Sequence, residues 1–206
     1  VLESIINNTI SKILSFLKET QQFQLTYRFT AKPNGGFESD AEHSWSVAFA
    51  GMLFVEEIEK EFDIKLDHAR MLKMALVHDL AKMETGDTKP WDIKARIGKE
   101  ERGWKTMHKI VYSLPKTQQK EILDLWKECE KRETPEAKIV KSLDRLDPVL
   151  HRIVHGIGRE EIMDEKDASM EAFDAQQRPH HDFSQTLSQL YKIIQEEAVR
   201  RGLIKK

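Results

Sequence analysis

A chain of 206 residues, 39% hydrophobic and 33% charged, has the length of one domain and enough material for a sizeable core without staples. Its 33 Lys and Arg nearly balance 35 Asp and Glu, so a formal net charge of -2 gives no global reason for a nucleic-acid or membrane partner, and neither is expected. The one cysteine, Cys129, excludes an internal disulfide and any cysteine-built zinc site, and a reducing, cytoplasmic setting is expected.

The first stretch, "VLESIINNTISKILSFLKET", carries apolar residues at Leu2, Ile5, Ile6, Ile10, Ile13, Leu14 and Leu17. That is helical spacing with one greasy face, interrupted by Glu3, Asn7, Asn8 and Lys12, so it predicts a first helix packed on the body rather than a signal core or a spanning segment. A loop over about Gln21 to Asp40 follows, with "KPNGG" as its breaker. "SDAE" then offers a capping box, Ser39 as N-cap and Glu42 three residues on, which starts a helix running to about Phe62. Trp45, Ala48, Phe49, Met52, Leu53, Val55 and Ile58 cover most of its circumference and predict a central helix.

A third helix is predicted over about Asp67 to Glu84, apolar at Leu72, Ala75, Leu76, Val77, Leu80 and Ala81 and carrying His78 and Asp79. "TGDTKPWDIKARIG" reads as a long loop at a mouth, where Lys94 and Arg96 would steer an anionic substrate. Further helices are expected at about Glu101 to Ser113, Pro115 to Lys131, Pro135 to His155, Arg159 to Gln176 and Asp182 to Arg201. No convincing strand pattern and no internal repeat is found, so the fold class is all-α: one helical-bundle domain over residues 1 to 206. Its functional core lies at about 28 to 150, and the C-terminal helices pack on that core.

Within that bundle His43 at a helix start, His78 and Asp79 in an apolar helix, and Asp144 in "KSLDRLDPV" can converge on one point. A carboxylate in an apolar stretch is costly unless a cation or hydrogen-bond donors face it. Two imidazoles and two carboxylates suit a divalent ion such as Mn²⁺, Co²⁺, Fe²⁺, Ni²⁺ or Zn²⁺, which acidifies bound water and polarises a phosphoryl oxygen. His151 and His155 share the i, i+4 spacing of helical zinc ligands but lack a third ligand, so they read as surface or interface histidines, and His180 and His181 as turn residues. Asp147, one turn beyond Asp144, reads as part of a solvated ionic network or as a second functional carboxylate.

"EH" at 42 to 43, "HD" at 78 to 79 and Asp144 resemble the H, HD, D pattern of the HD-domain metal-dependent phosphohydrolases. "ESDAEHSWSVA", with "HDLAKMETGD" beginning 35 residues after His43, resembles the bacterial 5'-deoxynucleotidase branch over about Arg28 to Asp147. The resemblance implies one metal ion on His43, His78, Asp79 and Asp144, Mn²⁺ or Co²⁺ first and Mg²⁺ also admitted, and removal of phosphate from (deoxy)nucleoside 5'-monophosphates by a homodimer. It also implies that Arg28, 15 residues before His43, contacts the substrate phosphate, that Phe29 stands where the branch has Trp, and that Asp87 reads the sugar 3'-hydroxyl.

One position departs from the branch. Its Glu four residues after the second His is Lys82 here, on the metal side of the helix, where it can neutralise phosphate but cannot act as a carboxylate base. Glu84 is the nearest substitute but lies about 120° away from His78 round a regular helix. The candidate catalytic group is therefore Asp79, Lys82 and Glu84, with Arg28, Phe29, Lys82 and Asp87 on the substrate. The alternatives are an HD phosphohydrolase of another phosphorylated small molecule and a non-catalytic metal- and nucleotide-binding module.

Overall fold

The computed structural model describes residues 2–32, 34–87, 97–156 and 170–203. Helix α1 (Leu2–Thr20) runs into a 3-10 turn (Gln21–Leu25), followed by an antiparallel pair of short strands, β1 (Tyr27–Ala31) and β2 (Phe37–Ser39). Then come α2 (Asp40–Phe62), α3 (His68–Val77), a one-turn α4 (Lys82–Thr85), α5 (Lys99–Ile110), α6 (Lys116–Lys131), α7 (Pro135–His155), α8 (Met170–Gln177) and α9 (Gln185–Arg200). The all-helical reading holds apart from the hairpin, which replaces the loop expected at Gln21 to Asp40. The strand signal was hidden because the buried residues of the hairpin are Thr30, Glu38 and Ser39, so no apolar alternation exists to be read.

Local chemistry sets the helix starts. Ser39 and Glu42 form the capping box, with the Glu42 N–H donating to Ser39 Oγ at 3.2 Å and the Ser39 N–H to Glu42 Oε2 at 2.8 Å. Asp67, Thr134 and Ser184 cap α3, α7 and α9 through their side chains, and Pro135 sits at N1 of α7, where its missing N–H costs nothing. Helix α2 packs mainly on α3 and α7, and the main core joins Val47, Val55 and Ile58 to Met71, Met74, Ile139 and Leu143. A second cluster around Met107, Trp126 and Leu80 joins α5 and α6 to Phe16 and Phe23, and a third seats α9 on the far end of α7.

Three expectations need correction. The predicted helix from Asp67 to Glu84 is interrupted after Val77, where i to i+3 bonds (Leu80 N to Val77 O, 3.2 Å; Lys82 N to Asp79 O, 2.9 Å) replace the α ladder. Helix α2, expected to be central because apolar residues cover most of its circumference, is not buried on all those sides: Trp45, Phe49, Met52 and Leu53 are exposed. Only Phe16 of α1 is buried, while Leu2, Ile5, Ile6, Ile10, Leu14 and Leu17 face outward rather than onto the body. Elsewhere the described helices match expectation to within a few residues. Lys94, Arg96 and the expected helix start at Arg159 lie outside the described residues. Among the described residues no helix is long and apolar enough to cross a membrane.

Candidate functional site

Helix α2 delivers His43 from its capped first turn, the interrupted segment after α3 delivers His78 and Asp79, and the middle of α7 delivers Asp144. One ligand atom from each of these four lies within 4.8 Å of every other. His43 Nδ1 sits 2.7 Å from Asp147 Oδ2, which turns its Nε2 to Asp144 Oδ1 at 3.0 Å. His78 Nδ1 donates to the Ala75 carbonyl at 2.8 Å, which leaves the buried Nε2 pointing at the carboxylates without a hydrogen-bond partner. Both imidazoles are thus held through Nδ1 with Nε2 turned toward one point, His43 Nε2 meeting Asp144 and His78 Nε2 left without a hydrogen-bond partner, the arrangement in which outer partners orient metal-binding histidines. The orphaned Nε2 and the N₂O₂ donor set fit a divalent first-row ion.

Charge fills the rest of the cluster. Arg28, on β1, places Nη1 2.7 Å from Asp79 and 3.5 Å from Asp40. Lys82 Nζ is 2.8 Å from Asp79, 3.1 Å from Asp87 and 3.4 Å from Asp40. Lys141, one turn before Asp144, bridges Asp144 at 3.2 Å and Glu130 at 3.3 Å. Burial resists ionisation of both central carboxyls but is outweighed: His78, Lys82 and Arg28 hold Asp79, and Lys141 with the two imidazoles holds Asp144, well below the usual carboxylate range. For His78 the same contest runs the other way, since burial opposes its charge yet Asp79 and Asp144 push its pKa up to about 9. Lys82 keeps its ammonium, because Asp79, Asp87 and Asp40 outweigh burial and the repulsion from Arg28.

The cluster floors a cavity of about 420 Å³ lined by β1, α4, α5, α6, α7 and α8. Arg28, His78, Asp79, Lys82, Asp87 and Asp144 all reach it. Phe29 is not among its lining residues; its backbone N–H lies 3.4 Å from Asp87 Oδ2. Glu84 is not brought to the site: it is exposed and pairs with Lys109 at 2.7 Å, which takes it out of the candidate catalytic group. Sequence reasoning missed Lys141, Asp40 and Glu38. Asp40 is wholly buried against Arg28 and Lys82, and Glu38, also buried, is pushed up to about 7 by burial and by facing Asp147. The i−3 spacing from Asp144 was the available signal for Lys141. The rings of His151 and His155 lie 4.3 Å apart, tilted by 54°, and neither belongs to the four-residue cluster.

The family model described as HD domain matches residues 20–199. The chain belongs to the HD-domain family. Among curated relatives, this HD-domain chain is 33% identical over 142 residues to the Xenopus laevis 5'-deoxynucleotidase HDDC2, covering 69% of this chain and 65% of that one. It is 30% identical over 139 residues to the Homo sapiens protein of the same name, covering 68% and 63%. The chain therefore spans slightly less than two thirds of these relatives' length. Among solved structures, a predicted metal-dependent phosphohydrolase from Magnetospirillum magnetotacticum MS-1 superposes with a TM-score of 0.72 at 30% identity, covering 97% of both chains. An HD-domain phosphohydrolase from Listeria innocua shares the fold, with a TM-score of 0.71 at 22% identity over 93% of this chain and 92% of that one.

Proposed function

We propose that this HD-domain protein is a metal-dependent phosphohydrolase that removes the phosphate from nucleoside 5'-monophosphates, the deoxyribo series above all. The observation that carries the reading is a pair of imidazoles, each held through Nδ1 with Nε2 turned inward, and two carboxylates, with one ligand atom of each within 4.8 Å of the others and Arg28 and Lys82 lining the same cavity. His43, His78, Asp79 and Asp144 would hold one divalent ion, Mn²⁺ or Co²⁺ ahead of the others. When bound, such an ion supplies Lewis acidity to a phosphoryl oxygen and an acidified water.

The chain's own residues bind and orient. Arg28 and Lys82 exchange part of their pairing with Asp79 for the phosphate oxygens, and Arg28 offers the planar fork suited to that anion. Lys82 acts by charge and not by proton transfer, since its carboxylate neighbours keep it protonated. Asp147 fixes the tautomer and ring orientation of His43. Asp87, at the cavity wall, accepts from the sugar hydroxyl. The curated names of the relatives, 5'-deoxynucleotidase, support this choice of substrate.

Phosphate release from a panel of ribo- and deoxyribonucleoside 5'-monophosphates by metal-stripped protein, with Mn²⁺, Co²⁺, Mg²⁺ or Zn²⁺ restored singly, tests the reading. Release confined to metal-loaded samples and stronger in the deoxy series is expected; no release with any metal sinks it. A homodimer is part of the same proposal, supported by the outward apolar residues of α1 (Ile5, Ile10, Leu14) and α2 (Trp45, Phe49). Light scattering reads its mass.

A further inference from the structure

The cavity carries more positive charge than one phosphate uses. Although the whole chain has a net charge of -2, the described lining holds eight Lys or Arg against five Asp or Glu, a surplus of three. A divalent ion and a phosphate dianion cancel, so that surplus persists when a monophosphate is bound. Among the described residues three of the cations, Lys99 in the first turn of α5, Arg132 at the C-cap of α6 and Arg145 on α7, form no ion pair. Arg132 Nε is in addition buried without a hydrogen-bond partner. A buried guanidinium nitrogen without a partner is costly, and several like charges on one cavity wall add repulsion.

The positions suit an elongated anion. Along α7 the residues Lys141, Asp144, Arg145, Pro148 and Arg152 form one face that lines the cavity. At 1.5 Å per residue, the eight residues from Asp144 to Arg152 carry that wall about 12 Å beyond the metal cluster. His180, on the turn Arg178–His180, registers the same field: burial first, then Arg145 and Arg132, push its pKa down to about 4.

We propose that Arg132, Arg145 and Lys99 form a second anion subsite, which takes a phosphate carried beyond the one held at the metal cluster, so that nucleotides with a chain of two or more phosphates are ligands of this cavity. The inference rests on the phosphohydrolase reading for the placing of the first phosphate. It adds a binding preference that a monophosphate site does not need. Each charge-assisted hydrogen bond to such a phosphate is worth on the order of tenfold or more in affinity.

Calorimetry on the full chain without added metal, with inorganic phosphate, pyrophosphate, dAMP and dADP as the four probes, tests it. Pyrophosphate is expected to bind at least about tenfold tighter than phosphate, and dADP tighter than dAMP by a similar factor. Both advantages should fall below about threefold in Arg132→Gln and in Arg145→Gln, while Arg132→Lys, which keeps the charge, retains most of them. Equal affinities within each pair, or advantages that survive both Gln variants, overturn the subsite. Preference for pyrophosphate with none for dADP overturns the nucleotide assignment and leaves a free oligophosphate as the ligand. Because these affinities are read without turnover, failure of metal-dependent phosphate release would remove the proposed activity without touching the subsite, and equal affinities would remove the subsite without touching the activity.

Discussion

Lys82 stands where the resemblance to the 5'-deoxynucleotidase branch implies Glu, and Lys82→Met isolates what its charge does. The methionine keeps most of the stem's volume and apolar contact while removing the ammonium that lies 2.8, 3.1 and 3.4 Å from Asp79, Asp87 and Asp40. Those three carboxylates are only 10%, 15% and 0% exposed, so water cannot replace the lost cation. Removing one partner of a buried ionic group costs about 3 to 5 kcal/mol. Arg28 still faces Asp79 and Asp40, which places the expected loss at the lower end, about 3 kcal/mol. Guanidinium unfolding of metal-stripped protein reads this as a lowered midpoint with an unchanged slope. A bound divalent ion restores positive charge beside Asp79, so the deficit should shrink when Mn²⁺ is added. A loss under about 1 kcal/mol in metal-free protein, or a deficit that Mn²⁺ leaves untouched, would refute the reasoning that Lys82 is a built-in countercation of the site.

Asp147→Ala removes the acceptor that orients His43, and equilibrium titration should show metal affinity reduced about 10- to 100-fold; unchanged affinity would deny Asp147 its positioning role. His181 is buried against Ser142 Oγ at 2.7 Å, and burial, then His180 and Arg145, push its pKa down to about 4. The unfolded chain therefore takes up a proton near its ordinary value of about 6.5 that the fold refuses. Stability should fall as pH drops from about 6.5 toward 4, with His181 contributing at most about 3 kcal/mol, and His181→Gln should make that part of a urea-midpoint profile against pH shallower, leaving the share of His180. Gly103→Ala would set a Cβ 2.9 Å from the Trp126 ring at the cavity wall, and thermal unfolding should show a loss of about 1 to 3 kcal/mol.

The sequence pattern was most legible where chemistry and local structure coincide. Ser39 with Glu42 marked the start of α2, which fixes His43, and the set of His43, His78, Asp79 and Asp144 was legible through its resemblance to the H, HD, D pattern, ionisable residues set into apolar stretches of three separate segments. Periodicity failed at the hairpin, because β1 and β2 turn Thr30, Glu38 and Ser39 inward to the ionic site rather than a row of apolar residues. It failed again after Val77, where a regular helix would have continued but the backbone tightens as His78 and Asp79 enter the cluster. Amphipathic spacing in α1 foretold a helix but not what its apolar face meets, since a stripe that packs on the same chain and one left outward have the same pattern. Asp40 and Lys141 escaped notice for a related reason: only the folded arrangement shows which carboxylates need a buried cation beside them.

The most direct test of the account is metal content and phosphate release measured on the same samples of wild-type protein and Asp79→Ala after reconstitution with Mn²⁺. If His43, His78, Asp79 and Asp144 hold the ion that hydrolysis requires, the wild type binds one Mn²⁺ per chain and releases phosphate from deoxynucleoside 5'-monophosphates, while Asp79→Ala loses both together. Full Mn²⁺ occupancy in Asp79→Ala, or undiminished release from metal-free wild type, would contradict the assignment.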